Sequence, residues 1–389
     1  MRVIGLMSGT SADGVDAALV EWEDPREPRP FRLRAYREEP LPASLQQRIH
    51  DLAAGHTPPG ETLRELAALD VLLAERFAAA AAGVAADAGL ALEQVDAIAS
   101  HGQTVAHHPE LHATLQIGDP SWIAERTGCT TIADFRPRDL AAGGEGAPLA
   151  PFFHFVALGS PAESRLVLNL GGMANVTWLP RGGQPEAVIA FDVGPANALI
   201  DGVVRAASGG RERIDADGAR ARRGRVDAAW LARLLDDDFL RAPPPKSTGR
   251  ERYGAAQADA LWSEARARGA ALDDLLATLC AFTAETVAHA CRAHLEGVEA
   301  VDRLLVGGGG VRNGALMQAL RGAMGRVPVE PFDLHGVPAD AAEAMAFALM
   351  GRHTLLGLPN HLPQCTGARR AAVLGEIAPG RSGRIPRPD

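Results

Sequence analysis

At 389 residues the chain is longer than one hydrophobic core usually serves, so two domains are expected. Apolar residues at 47% and charged residues at 22% fit an ordinary globular protein, and a net charge of −9 disfavours a polyanion such as nucleic acid as the main partner. Asp13 and Asp16 interrupt the first apolar stretch and no later apolar run reaches about twenty residues, so neither a secretory leader nor a membrane span is expected and the reading is cytoplasmic.

The N-terminal segment reads as strand (3–7), tight turn, strand (15–22) and a third strand at 31–36, an antiparallel meander joined by the Pro-rich DPREPRP. An Ala/Leu-rich stretch from Pro59 to Leu90 has helical composition and length. VDAIASHGQT is then an apolar strand ending in polar and glycine residues at 101–104. His101, His107, His108 and His112 gather near Pro109, where a surface loop is favoured over a metal site. From Arg165 the pattern restarts. RLVLNLGGMANVTWLP is strand, glycine turn, strand; AVIAFDVGPANALI is a third strand running into a helix; LLATLCAFTAETVAHACRAHL is a long helix, followed by VDRLLVGGGGVRN. Val95-Asp96 and Val301-Asp302 each open a short apolar strand behind a meander and helices, which predicts a duplicated α/β unit with a ligand cleft between its halves. Four scattered cysteines form no CxxC and read as reduced thiols.

The chemistry concentrates in the turns. Gly9 and Gly14 allow an anion-binding backbone concavity, to which Ser8, Thr10 and Ser11 add hydroxyls. Asp13 and Asp16 would repel phosphate unless Mg²⁺ bridges them, so the turn suggests a magnesium-nucleotide. Asp13-Gly14 alone would favour a plain hairpin, but this turn is longer than a hairpin needs. A second turn at Gly171-Gly172 repeats the glycines without acids, and there is no GxxxxGK[ST]. Gly307, Gly308, Gly309 and Gly310 could approach a purine or phosphate, or simply turn the chain. Asp192, at the end of an apolar strand, suits a general base and equally a helix N-cap. Asp201 reads as helix surface, Glu343 as a solvated acid beside an apolar stripe, and PPPKSTGRERYG as a flexible basic loop able to close over an anion.

Together these stretches resemble the anhydro-N-acetylmuramic acid kinases of the sugar kinase/actin/heat-shock-70 ATPase superfamily. GLMSGTSADGVD, SHGQT, LQIGDP, ADFRPRD, AAGGEGAPLAPFFH, LNLGGMANVT, FDVGPANALID, PKSTGRERY, VGGGGVRN and EAMAFA occur in family order to about residue 370. The resemblance implies an α/β fold of two duplicated RNase H-like, actin-like ATPase domains around a central cleft. Residues 1–137 would form the first, with the segment from about 362 to 389 packed on it, and 138–361 the second, carrying an adenosine-binding loop. It implies ATP- and Mg²⁺-dependent opening of the 1,6-anhydro ring of 1,6-anhydro-N-acetylmuramic acid with phosphorylation of O6, in peptidoglycan recycling. Asp192 takes the catalytic position; Gly9, Thr10, Ser11, Ala12, Asp13, Gly14, Val15 and Asp16 take the nucleotide segment, with Gly171, Gly172 and the four later glycines. Asp13 would meet the metal through water, while Arg136, Glu343 and His101 would meet the sugar. A homodimer without nucleic-acid or membrane partners is implied. The alternatives are a kinase of an ordinary amino sugar and a non-catalytic actin-like nucleotide sensor. Two residues depart from the family pattern: Ala196 stands where glycine is usual, which would strain the backbone if φ were positive, and Pro137 interrupts a basic FRRRD pattern.

Overall fold

The computed structural model describes residues 1–295, 300–383 and 385–386. In chain order it contains β1 (Arg2–Ser8), β2 (Gly14–Trp22), β3 (Phe31–Pro40), α1 (Ala43–Ala53), α2 (Thr62–Asp87), β4 (Ala97–His108), β5 (Ala113–Ile117), α3 (Pro120–Thr127), β6 (Thr131–Ala133), α4 (Phe135–Ala141) and α5 (Ala150–Leu158). There follow β7 (Arg165–Leu170), β8 (Met173–Leu179), β9 (Ile189–Pro195), α6 (Asn197–Ser208), α7 (Ala228–Leu235), α8 (Asp238–Arg241), α9 (Ala255–Ala267), α10 (Leu272–His294), β10 (Arg303–Gly307), α11 (Gly314–Met324), β11 (Val329–Pro331), α12 (Ala342–Leu356), α13 (Pro363–Thr366) and β12 (Glu376–Ala378).

The first sheet runs β12-β6-β4-β1-β2-β3, with β5 paired to β4; the second runs β11-β10-β7-β8-β9. In each, the first three strands form an antiparallel meander and the first strand pairs in parallel with the strand that returns after the helices. Both sheets thus order the meander as third, second, first and add the parallel returning strand beside the first, with one further strand beyond it, in keeping with the duplicated α/β unit expected from the repeated sequence pattern. The repeat extends to single hydrogen bonds. Asp96, just before β4, donates its N–H to the Arg2 carbonyl and accepts the Arg2 N–H on its carboxylate at 2.7 Å. Asp302, just before β10, does the same to Ser164, its carboxylate accepting at 2.8 Å. One aspartate in each half therefore ties its returning strand to the start of the meander.

Two compact units result, Met1–Ala157 with Ala341–Asp389, and Leu158–Asp340. The first limit falls at 157/158 and not at 137/138, and the second at 340/341 and not at about 361/362 because α12 packs on β1, β2 and β4 of the first sheet. That packing is tight enough for a Cβ on Gly5 to run into the Ala344 carbonyl. β12 pairs with β6. The first unit buries Ile4, Leu6, Leu19, Phe77 and Ile98 between its sheet and α2; the second buries Leu166, Leu168, Val176, Leu279, Phe282 and Val306 against α10 and α11. No helix among the described residues is long and apolar enough to cross a membrane.

The histidine-rich stretch is not a surface loop up to residue 108. β4 continues through it because β5 turns back and pairs with it, and His101 is buried. Asp201 is half-buried rather than plain surface, and burial pushes its carboxyl up to about 6. Ala196 has φ −126, so alanine incurs no left-handed strain there. Pro137 lies in the first turn of α4, where a missing N–H costs no helical bond.

Candidate active site

In the first unit the turn between β1 and β2 is fixed from beneath. Buried Ser8 Oγ lies 2.8 Å from the Gly14 carbonyl and 2.7 Å from Gln103 Oε1, its single hydroxyl proton serving these two acceptors, while Gln103 Nε2 donates to the Gly9 carbonyl at 3.1 Å. Ala12 is fully buried in a left-handed conformation, and its N–H closes on the same Gly9 carbonyl. Ala12, Gly14 and Val15 therefore shape the turn from inside; Thr10, Ser11 and Asp13 are exposed. With the Gly9 carbonyl doubly engaged, the polar side chains this turn exposes are the Thr10 and Ser11 hydroxyls and the Asp13 carboxylate. Asp13 accepts the Ser11 hydroxyl at 2.7 Å and is otherwise open. Asp16 is less accessible: it accepts the Tyr36 hydroxyl at 2.5 Å, and burial with Glu38, Glu343 and Asp13 nearby pushes it up to about 6.

The second unit's turn is shorter. The Asn197 amide donates at 2.9 Å to the carbonyls of both Leu170 and Gly171, and the Gly172 carbonyl receives the N–H groups of Ala196 and Ala198. Gly9, Gly171 and Gly172 share a further property. None has positive φ, and a Cβ on any of them would meet nothing closer than 3.7 Å in the protein. Packing does not require glycine there, so the space is available to a bound molecule. The four later glycines differ. A Cβ would strike the Phe332 ring from Gly307, the Asn169 amide from Gly308 and Leu170 from Gly310. Those three hold β10 and its turn against the protein, and Gly309 alone is exposed.

Asp192 is half-buried on β9, opposite Asn175 of β8. It caps no helix: Ala196 holds that position for α6. Its Oδ2 instead accepts the Thr248 N–H at 2.9 Å and the Ser247 hydroxyl at 3.2 Å, and its own N–H donates to the Lys246 carbonyl at 3.1 Å. Burial raises its pKa, the two donors pull it back in part, and Glu251 adds to the rise. The basic loop is thus anchored rather than free. Lys246 Nζ donates to the carbonyls of Phe239 and Leu240 at 3.0 and 3.1 Å, and Tyr253 is fully buried.

Arg136, on α4, is positioned by two bonds. Its Nε donates to His101 Nε2 at 3.0 Å and its Nη1 to the Gly146 carbonyl at 2.7 Å. His101 Nδ1 lies 2.9 Å from the Gly102 carbonyl, so this ring is the neutral Nδ1–H tautomer; burial and Arg136 hold its pKa well below the usual value. Both His101 nitrogens are thereby occupied, and the residue orients Arg136. Gly146 is held in turn by Asp139, a buried carboxylate that accepts its N–H at 2.8 Å and the Thr366 hydroxyl at 2.7 Å, with His361 Nδ1 2.7 Å away. Arg136 Nη2 bonds to no described residue. Glu343 is solvent-accessible and equally without a hydrogen bond among the described residues, but the protein around it raises its pKa while Arg136 lowers it. The first unit therefore presents a guanidinium and a carboxylate with donor and acceptor capacity to spare.

The sequence reading missed Ser247, Thr248, Gln103 and Asn197 as site-shaping residues. Ser-Thr beside Lys246 in PKSTGRERY was the available signal for the first two.

Two sheets of this order, each with a glycine turn that leaves space for a ligand and the second with a half-buried strand carboxylate, are the parts that an α/β phosphotransferase acting with a nucleotide requires. The family profile described as "Anhydro-N-acetylmuramic acid kinase" matches residues 1–380. Proteins of that name from Xanthomonas campestris pv. campestris and Streptomyces coelicolor are 46% and 45% identical over 384 and 393 residues, covering 97% and 100% of this chain and 97% and 96% of the relatives. One from Caldanaerobacter subterraneus subsp. tengcongensis is 41% identical over 384 residues, 97% of this chain and 96% of the relative. The chain belongs to the anhydro-N-acetylmuramic acid kinase family. Among solved structures, a ROK family glucokinase from Streptomyces griseus in complex with glucose and AMPPNP matches at 13% identity and TM-score 0.42, over 90% of this chain and 99% of that one. The activator of the 2-hydroxyisocaproyl-CoA dehydratase from Clostridium difficile with bound ADPNP matches at 13% and 0.41, over 89% and 94%. Both scores lie below the level at which a shared fold follows.

Proposed function

We propose that this kinase opens the 1,6-anhydro ring of 1,6-anhydro-N-acetylmuramic acid with water and phosphorylates the released O6 from ATP, giving N-acetylmuramic acid 6-phosphate and ADP, in peptidoglycan recycling. The observation that supports it most is Asp192, a half-buried carboxylate on a rigid strand, raised in pKa and bonded through one oxygen. Such a group can take a proton from water, as ring opening requires.

In the assigned reaction, Asp192 accepts the proton as the water oxygen bonds to C1. The C1–O6 bond breaks with its electron pair on O6, and O6 attacks the γ-phosphate, expelling ADP. Arg136, fixed by His101 and the Gly146 carbonyl, directs Nη2 to the carboxylate that this sugar carries. Glu343 accepts a sugar hydroxyl. The turns at 9–13 and 171–172 donate to the phosphates. Asp13 suits Mg²⁺ held mainly by phosphate oxygens and water, since it is one open carboxylate; bound there, the ion would neutralise phosphate charge. Gly309 is the residue of the third glycine run assigned to the adenosine side. Assembly as a homodimer, residence in the cytoplasm and lack of a nucleic-acid partner complete the proposal.

A substrate panel tests it. ATP and Mg²⁺ with the anhydro sugar should give the 6-phosphate, whereas N-acetylglucosamine and N-acetylmuramic acid should be poor acceptors. Faster turnover of either ordinary sugar would favour the amino-sugar kinase, and nucleotide binding with no acceptor at all would favour the sensor.

A further inference from the structure

Asp192 is held asymmetrically. The Thr248 amide at 2.9 Å and the Ser247 hydroxyl at 3.2 Å both donate to Oδ2, while Oδ1 accepts no hydrogen bond from the described residues. The donors arrive on a loop with several anchors. The Lys246 carbonyl accepts the Asp192 N–H; Lys246 Nζ is tied to the carbonyls of Phe239 and Leu240 and lies 4.8 Å from the Phe239 ring centre. Beyond the donors, the Tyr253 hydroxyl bonds to Asp237 at 2.8 Å.

We propose that the segment Lys246–Thr248 positions the base: Ser247 and the Thr248 amide lock Oδ2 so that Oδ1 is the oxygen presented to the reacting water. This rests on Asp192 being the base. A carboxylate turns easily about its terminal torsion, and two donors on one oxygen remove that freedom, so the proton-accepting lone pairs keep one direction. The arrangement has a cost, because each donor stabilises the ionised form and weakens the base. Burial works the other way, and the balance leaves the carboxyl above its ordinary value. The charged and titratable groups around it are few. Glu251 on the same loop adds to the rise, and the Lys246 ammonium is turned away to its two carbonyls. Behind β9, α10 brings Thr283 to the Pro195 carbonyl, Thr286 beside Gly194 and His294 against the Phe191 ring; β8 contributes neutral Asn175. Ser247 and Thr248 act through Asp192 and do not themselves take the proton.

The test is the pH profile of kcat for the full chain with anhydro sugar and ATP. Ser247→Ala removes one stabilising donor, so the acidic limb should move up by about 0.3 to 1 pH unit and kcat should fall about three- to tenfold, with KM for ATP within about twofold. Ser247→Thr should restore both, and Thr248→Ala, which keeps the amide, should leave the limb in place. An unmoved limb in Ser247→Ala, with kcat within about twofold, overturns the positioning role while Asp192→Asn stays inactive. Substantial turnover by Asp192→Asn removes the base itself.

Discussion

The two meanders can be compared residue by residue. Gly14 at the start of β2 faces Pro40 at the end of β3, and Met173 at the start of β8 faces Pro195 at the end of β9; two residues further along the middle strands, Asp16 faces Glu38, and Asn175, past a β-bulge that skips Val193, faces Asp192. The third strand therefore places an acid opposite the middle strand in both units, in the second only because a bulge shifts Asp192 into that place. In the first, its cross-strand neighbour is another acid, and like charges opposite one another are costly. Burial pushes Asp16 up to about 6, Tyr36 pulling it back by donating to it and Glu38 adding to the rise. In the second, the neighbour is a neutral amide, and Asp192 takes its donors from a separate loop on one oxygen. One architecture thus yields a carboxylate whose proton affinity is set chiefly by burial beside other acids and another whose direction is set by hydrogen bonds. The second kind is suited to a base.

Exchanging these roles by mutation is the sharpest check on that contrast. Asp192→Asn should lower kcat by about 10²- to 10⁴-fold with ATP binding retained, while Glu38→Gln on the third strand of the first unit should stay within about threefold. Comparable losses in both would erase the distinction. Arg136→Ala should raise KM for the sugar about ten- to hundredfold, as loss of a charged hydrogen bond does, and leave KM for ATP nearly unchanged. An effect on ATP alone would move Arg136 out of the sugar site.

The glycines provide the next contrast. Gly308→Ala and Gly310→Ala should each cost about 1 to 3 kcal/mol in denaturant unfolding, because a Cβ meets Asn169 or Leu170. Gly172→Ala should change stability by about 0.5 kcal/mol or less and raise KM for ATP about tenfold. Unchanged ATP kinetics there would remove the second turn from the phosphate site. The smallest expected effect concerns pH. Asp16 binds its proton more tightly folded than unfolded, so the folded chain holds more protons between about pH 4 and 6 and this residue lowers stability as pH rises through that window. Asp16→Asn, which can still accept from Tyr36, should therefore stabilise by about 1 to 2 kcal/mol at pH 7 and make little difference at pH 3. A gain independent of pH would contradict the raised proton affinity of the buried Asp16 carboxyl.

The strands of both meanders, the long helices α2 and α10 and the repetition itself were legible because alternating or continuous apolar runs between glycine turns encode them locally. The detail in Asp96 and Asp302 was visible as a repeated Val-Asp pair. What the sequence concealed depends on contacts between distant segments. β4 runs on through His108 because β5 pairs with it, and α12 joins the first unit because Gly5 lets it approach the sheet. Equally, Gly307, Gly308 and Gly310 resemble a ligand loop in composition and are explained by packing against Phe332, Asn169 and Leu170. His101, read as a sugar contact, spends both ring nitrogens within the protein. Asp192 was legible as a strand carboxylate. Its donors, 55 and 56 positions away in the chain, were not.

Running the reaction in ¹⁸O-water with anhydro sugar, ATP and Mg²⁺, and stopping it before the product exchanges oxygen, tests water activation by Asp192 most directly. Labelled oxygen on C1 with an unlabelled bridge at O6 is the predicted product, and Asp192→Asn should form almost none of it. Phosphorylated sugar without label on C1 would contradict the account.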